Sequence, residues 1–212
     1  MPPNVVVPPA IRRSPLMRAG GFAVVDGLLD EETFGRLTAE AIEAHNRAVL
    51  SDVAETGDTA ERGGAPARHF ASADGGPLQQ SLYNAPALSA LLSGYAALPV
   101  APTGEAATFS YYAAPGDFID VHRDIVSCDL AVITCLLDNA PHAAGGSLCV
   151  YPDRVEEPVA SIRRSPTRGA ALVHLLPGQT IVLLGGTLPH RVVEVAEGQQ
   201  RVVSVMCFRA AC

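Results

Sequence analysis

Hydrophobic residues make up 48% of this 212-residue chain, enough for one domain with a full core and no need of staples. The net charge is −7 and no basic run exceeds Arg163-Arg164, so nucleic acid is not an expected partner, because phosphate neutralisation needs a basic stripe. No stretch approaches the roughly 20 apolar residues that span a bilayer, and the opening MPPNVVVPPAIRR lacks the charged start and apolar run of a secretory signal.

All 15 basic residues are arginine, which reads as the coding bias of a GC-rich, bacterial genome. Cys128, Cys135, Cys149, Cys207 and Cys212 form an odd set with no CxxC pair. Most sit in apolar runs, so they are expected as buried free thiols in a reducing cytoplasm and not as a zinc site.

Residues 1–20 are proline-rich and read as an irregular arm. GFAVVDGLL (21–29) is apolar and β-branched, a first strand. Asp30 is placed to cap a helix over 31–49, where Phe34, Leu37, Ala41, Ala44 and Ala48 recur at helical spacing. Residues 51–81 are small and polar, with few large apolar side chains, and read as a long loop or lid. Asn84 is expected to cap a second helix that packs through Leu88, Leu91, Leu92 and Tyr95.

After Pro102 the pattern turns to strands. They are expected at 107–114, 118–124, 129–138, 147–152, 170–176, 180–186, 190–195 and 201–208, punctuated by Pro115-Gly116, Gly145-Gly146, Pro177-Gly178 and Gly185-Gly186. Eight short strands with turn signals between them predict a mainly β sandwich or jelly roll, with helices first, in a single domain over 1–212.

The chemistry concentrates in His122-Arg123-Asp124. Side chains at i and i+2 of an extended strand share a face, so one strand offers an imidazole and a carboxylate together. His190, from a distant strand, completes a two-histidine, one-carboxylate set. Such a facial triad leaves open positions on a non-haem iron. Arg201 supplies a guanidinium that grips a carboxylate bidentately and stays charged when buried. Arg123 lies between two ligands and should point away, as a solvated charge or an ion-pair partner. His174 reads as a partly buried core histidine. Arg191 should face away from His190, and His45 and His142 read as surface residues. Arg68 and His69 read as solvated charges of the lid, with contact to a substrate carboxylate as the sharper alternative.

The segments SYYAAPGDFIDVHRD, VITCLLDN…GGSLCVYP and PGQTIVLLGGTLPHRVVEVAEGQQRVVSVMCF resemble the iron(II)/2-oxoglutarate-dependent dioxygenase superfamily, in particular its prolyl-4-hydroxylase-like branch. The last segment carries an H-x-V-x-x-V-x-x-G-x-x-R run like that of the superfamily. The lead-in GFAVVDGLLDEETFGRL is similar too, and only 51–81 has no counterpart.

The resemblance implies a double-stranded β-helix, or jelly roll, with N-terminal helices packed on it. It implies Fe(II) held by His122, Asp124 and His190, with 2-oxoglutarate and O2 as cosubstrates. Arg201 would meet the distal carboxylate of 2-oxoglutarate, with Tyr112 and Thr134 as further contacts; Tyr111 would face the other way. The carboxylate of Asp124 stands where related halogenases carry a small residue, which points to hydroxylation or another non-halogenating oxidation. The chain departs from the pattern at Cys135-Leu136-Leu137, where many relatives have a tyrosine, and at Val203, where a serine is frequent.

The function these readings predict is hydroxylation of an unactivated C–H bond in a small molecule, such as an amino acid or natural-product intermediate. Peptidyl prolyl hydroxylation is the alternative. A cupin-like metal-binding jelly roll, or a non-catalytic binding protein, is the alternative of another class.

Overall fold

The computed structural model describes residues 7–55, 61–140 and 145–211. Its strands are β1 (Phe22–Val25), β2 (Val49–Val53), β3 (Arg68–Asp74), β4 (Val100–Pro102), β5 (Thr108–Tyr112) and β6 (Phe118–His122). They continue with β7 (Leu130–Asp138), β8 (Leu148–Val150), β9 (Ala171–Val173), β10 (Thr180–Leu183), β11 (His190–Val192) and β12 (Arg201–Ala210). The helices are α1 (Pro9–Arg12), α2 (Pro15–Arg18), α3 (Glu31–Ala44), α4 (Pro77–Tyr83), α5 (Pro86–Ala96) and α6 (Val159–Arg163).

The strands join one curled antiparallel sheet in the order β1-β10-β7-β12-β5-β3-β6-β11-β8-β9, with β2 on β3 and β4 on β12. This is the mainly β jelly roll that the strand pattern predicts. The longest ladder joins β12 to β7, from Arg201↔Asp138 to Phe208↔Leu130, with one bulge between Val202 and Val203. The side chains of β12 alternate between two surroundings. Val203 and Val205 face the hollow of the curl. Met206 and Phe208 join Leu92, Tyr83 and Leu16 in the core beneath the helices. Burying one such leucine stabilises the fold by about 1.5–3 kcal/mol.

The N-terminal helices form for local reasons. Asp30 Oδ1 accepts the Thr33 N–H at 2.8 Å and so caps α3, whose first turn carries Glu31 and Glu32 against the helix dipole. Leu37, Ala41 and Ala44 form its buried stripe. From α3, Glu40 accepts the Leu78 and Gln79 N–H groups at 2.8 and 2.9 Å, which satisfies the start of α4.

Four expectations are corrected. Residues 1–20 are not irregular from Pro9 onward: α1 and α2 bury Ile11 and Leu16, and Ser14 caps α2; residues 1–6 lie outside the described set. Residues 51–81 are not a lid loop. They hold most of β2, all of β3 and most of α4; residues 56–60 lie outside the described set. The segment RHFASAD pairs with β2, β5 and β6. It needs no large apolar side chains because its ladder supplies the hydrogen bonds and its faces are only half-buried.

Asn84 does not start a helix. It ends α4, with Nδ2 donating to Gln80 O at 2.8 Å, and Pro86 opens α5. On α5, Leu92 is fully buried whereas Leu91 is exposed. Finally, Cys128 and Cys207 are joined as a disulfide with Cα atoms 5.1 Å apart, not free. The β7–β12 pairing brings together residues 79 apart in sequence. Cys135 and Cys149 are free and buried; Cys212 lies outside the described residues. Among the described residues, no helix is long and apolar enough to cross a membrane.

Candidate metal centre and cavity

His122 ends β6 and His190 opens β11, and the two are cross-strand partners. Asp124 lies just past the end of β6, so the strand expected to 124 stops at His122. Its N–H donates to Gly185 O at 2.9 Å, which keeps the chain close to the turn after β10. A Cβ on Gly185 would collide with the Asp124 carboxylate; only glycine leaves room for it there. Arg62 clasps the loop that follows Asp124, donating to Ile125 O and Cys128 O at 2.8 and 2.7 Å and to Asp129 Oδ1 at 3.0 Å.

The ligand atoms of His122, Asp124 and His190 all lie within 4.8 Å of one another. Asp124 Oδ1 is 3.8 Å from His122 Nε2 and 3.6 Å from His190 Nε2. Metal–ligand bonds of about 2.1 Å bridge atoms up to about 4.2 Å apart, so these two pairs can share one ion.

The tautomers fit as well. His122 Nδ1 sits 2.8 Å from Asp120 O and His190 Nδ1 2.9 Å from Leu188 O. A carbonyl only accepts, so Nδ1 carries the proton and Nε2 offers its lone pair to the site. Burial, reinforced by His190, pushes the His122 pKa down to about 4, so this ring is neutral at pH 7. For His190 burial pulls downward, but the charge and hydrogen bond of Asp124 outweigh it and the net shift is upward. Burial raises Asp124, and the facing His190 more than reverses that. The donor set and its protonation suit a divalent cation of intermediate hardness.

The triad borders a cavity of about 370 Å³ inside the curl. Arg201 and Tyr112 line the same cavity. Arg201 is buried, and its Nη1 donates to Asp138 Oδ2 at 2.6 Å and to Leu175 O at 3.0 Å. Tyr112 is its cross-strand partner. Burial keeps the Tyr112 phenol protonated far above neutrality, against the opposing pull of Arg201, so it is a donor. Ile133, Ile181, Val192 and Val203 supply much of the remaining wall and make it largely apolar.

Thr134 is corrected. Its neighbours Ala131 and Ile133 face the cavity, whereas Thr134 points to the helical side, with Oγ1 2.8 Å from Thr180 Oγ1. Strand alternation puts it on the wrong face. Arg123 points away from the triad and is buried, bonded to Glu61 at 2.5 Å and to the carbonyls of Thr187, Val155 and Glu157. His174 is half-buried beside the floor, with Nδ1 2.8 Å from Ser147 Oγ and Nε2 3.3 Å from Asp138 Oδ2. His69 pairs with Asp117 at 2.5 Å. His45 is exposed, its ring 4.7 Å from that of Tyr111, and His142 lies outside the described residues.

Sequence reasoning passed over Asp138, Gly146, Gly185 and Arg62. The one signal for Asp138 was a carboxylate ending an otherwise apolar strand. Gly146, at φ 69°, would bring a Cβ to 2.6 Å from Arg201 Cδ, so it gives that side chain its passage.

No known protein-family model matches the sequence, and no curated protein matches it. Solved structures do. The non-heme alpha ketoglutarate dependent epimerase SnoN from nogalamycin biosynthesis superposes with a TM-score of 0.69 at 15% identity, covering 97% of this chain and 84% of its own. That epimerase has also been solved in complex with Fe3+, alpha ketoglutarate and nogalamycin RO. AviO1 from Streptomyces viridochromogenes Tue57 gives 0.64 at 20% identity, covering 93% and 91%. A Pseudomonas putida prolyl-4-hydroxylase gives 0.60 at 16% identity, covering 92% and 96%. The chain therefore has the fold of the 2-oxoglutarate- and iron(II)-dependent oxygenases, prolyl hydroxylases included.

Proposed function

We propose that this protein is a non-haem Fe(II)- and 2-oxoglutarate-dependent oxygenase that hydroxylates an unactivated C–H bond of a small molecule. The observation that carries the reading is one cavity with His122, Asp124 and His190 on one part of its wall and Arg201 and Tyr112 on another. A facial triad alone fits several chemistries; an arginine and a tyrosine inside the same apolar hollow fit a dicarboxylate cosubstrate.

In this reading His122, Asp124 and His190 hold iron through Nε2, a carboxylate oxygen and Nε2. Arg201 binds the distal carboxylate of 2-oxoglutarate, with Asp138 and Leu175 O fixing its direction and the Tyr112 hydroxyl donating alongside. Iron with 2-oxoglutarate and O2 supplies the oxidising chemistry, with succinate and CO2 released. The aliphatic wall keeps bulk water from the reacting centre. The similarity to an epimerase of natural-product biosynthesis supports a small-molecule substrate.

Anaerobic titration of metal-free protein with Fe(II), then 2-oxoglutarate, tests this. A weak visible charge-transfer band that is lost in His122→Ala and needs far more 2-oxoglutarate in Arg201→Gln is the expected result. Fe(II) binding with no band on adding 2-oxoglutarate would return the protein to the cupin-like or non-catalytic class.

A further inference from the structure

Five buried or half-buried arginines end on carboxylates. Arg62 meets Asp129, Arg123 meets Glu61, Arg154 meets Glu157, Arg163 meets Asp120 and Arg201 meets Asp138. Arg68 differs. It is half-buried, and its bonds are to neutral acceptors: Nε to Ser51 Oγ at 2.6 Å and Nη1 to Pro66 O at 3.2 Å. No carboxylate among the described residues forms an ion pair with it.

Register puts Arg68 on the same face of β3 as Phe70 and Ser72, beyond the residues that line the cavity wall, and its Nε leans toward Ser51 of β2. Phe70 and Ser72 of β3 line the cavity, and residues two apart on a strand share a face. Arg68 is also the cross-strand partner of Ile119, which lines the cavity and pairs in turn with Val192 of β11. His69, one position on, turns outward to Asp117. Ile119 is three residues before the ligand His122, so Arg68 stands roughly 10 Å from the triad by strand geometry. The cavity wall beside Arg68 is apolar, with Phe70 and Ile119; Ile125, just past Asp124, also lines the cavity, and Val126 beside it is exposed.

A half-buried guanidinium held by neutral acceptors still carries a full charge to be balanced. Ser51 and Pro66 fix its plane and leave Nη2 and one N–H of Nη1 for a ligand. Two parallel donors on one cation match the two oxygens of a monocarboxylate. We infer that Arg68 is the anion subsite of the substrate, which is therefore a monocarboxylate with an apolar body reaching roughly 10 Å along the sheet to the metal. This inference rests on reading the cavity as the reaction site, but its test does not need turnover.

The probes are the straight-chain monocarboxylates from butyrate to decanoate and their primary amides. Binding is followed by NMR of isoleucine methyls in the metal-free protein, where Ile119 and Ile125 report the mouth and Ile181 the interior. The expected result is an acid that shifts Ile119 and binds about tenfold tighter than its amide, as loss of a charge-assisted pair requires. Arg68→Gln should erase that preference, whereas Arg68→Lys and Arg201→Gln should keep it. The methyl spectrum of each variant shows whether it is folded, and the lysine variant carries the test if the glutamine variant is not.

A preference that survives Arg68→Gln, or that vanishes only in Arg201→Gln, places the acid deeper in the cavity and overturns the assignment. Equal binding of acids and amides, or no binding by any member of the series, overturns it as well. Failure of the iron and 2-oxoglutarate titration would be a separate result, seen without these probes.

Discussion

The candidate metal triad and the arginine floor lie in one cavity but are held in different ways. Each histidine of the triad is tethered locally: Nδ1 bonds the carbonyl two residues earlier, Asp120 O for His122 and Leu188 O for His190. Arg201 is held by partners far off in sequence, Asp138 at 63 residues and Leu175 at 26, and it passes over Gly146. A local tether comes with the strand that carries the ligand. A distant one exists only once β7, β12 and the turn before β8 have assembled. The metal end should therefore respond to loss of a ligand, and the floor to loss of a neighbour.

The largest effect is expected from His190→Ala. It removes one of three ligands and leaves Asp124 without its facing imidazole, so calorimetry should find no Fe(II) binding in the micromolar range, with the fold retained. Full-strength binding would break the distinction between the two ends.

Arg201→Gln comes next. Loss of a charge-assisted pair costs about 1.5–3 kcal/mol, or roughly tenfold to more than a hundredfold in 2-oxoglutarate affinity, with Fe(II) affinity unchanged. Asp138→Asn should weaken 2-oxoglutarate by about tenfold or less, because the asparagine oxygen still accepts from Arg201. If it left 2-oxoglutarate affinity untouched, distant anchoring of the floor would not matter.

Gly146→Ala tests the passage. A positive φ and a Cβ against Arg201 Cδ should cost about 1–3 kcal/mol in denaturant unfolding, and the displaced arginine should bind 2-oxoglutarate less well.

The dependence on pH tests the metal end without a substitution. The raised His190 must lose its proton to bind metal, whereas His122, at about 4, is already neutral. Fe(II) affinity should be constant above the titration of His190. Below it, affinity should fall by about tenfold per pH unit, one proton being displaced per ion. Calorimetry in buffers of different ionisation enthalpy would count that proton. An affinity independent of pH from 8 to 5 would contradict the protonation pattern of the two rings.

The difference between local and distant anchoring also explains what was legible. The triad could be read because His122 and Asp124 are two residues apart and the H-x-V-x-x-V-x-x-G-x-x-R run fixes the sequence spacing of His190 and Arg201 on consecutive strands that do not pair with each other. Eight strands after Pro102 were visible as apolar runs broken by glycine and proline. Residues 51–81 were not, because β2 and β3 take their stability from pairing and carry no apolar alternation. Thr134 was misplaced for want of a register: one residue along β7 separates the cavity from the helical side. Gly146 gave no sign and Asp138 only that of a carboxylate ending an apolar strand, since each matters for an arginine more than fifty positions away.

By itself the sequence determined the eight strands after Pro102, the two-histidine, one-carboxylate residue types and the local tethers of both histidines, because these depend on residues within a turn or a strand of one another. Only the tertiary structure decided which faces meet. The pairing of Arg201 with Asp138, the room that Gly185 leaves for Asp124 and the Cys128–Cys207 bond follow from register and curl. Those arise when strands distant in the chain close into one sheet, and no local pattern encodes the outcome.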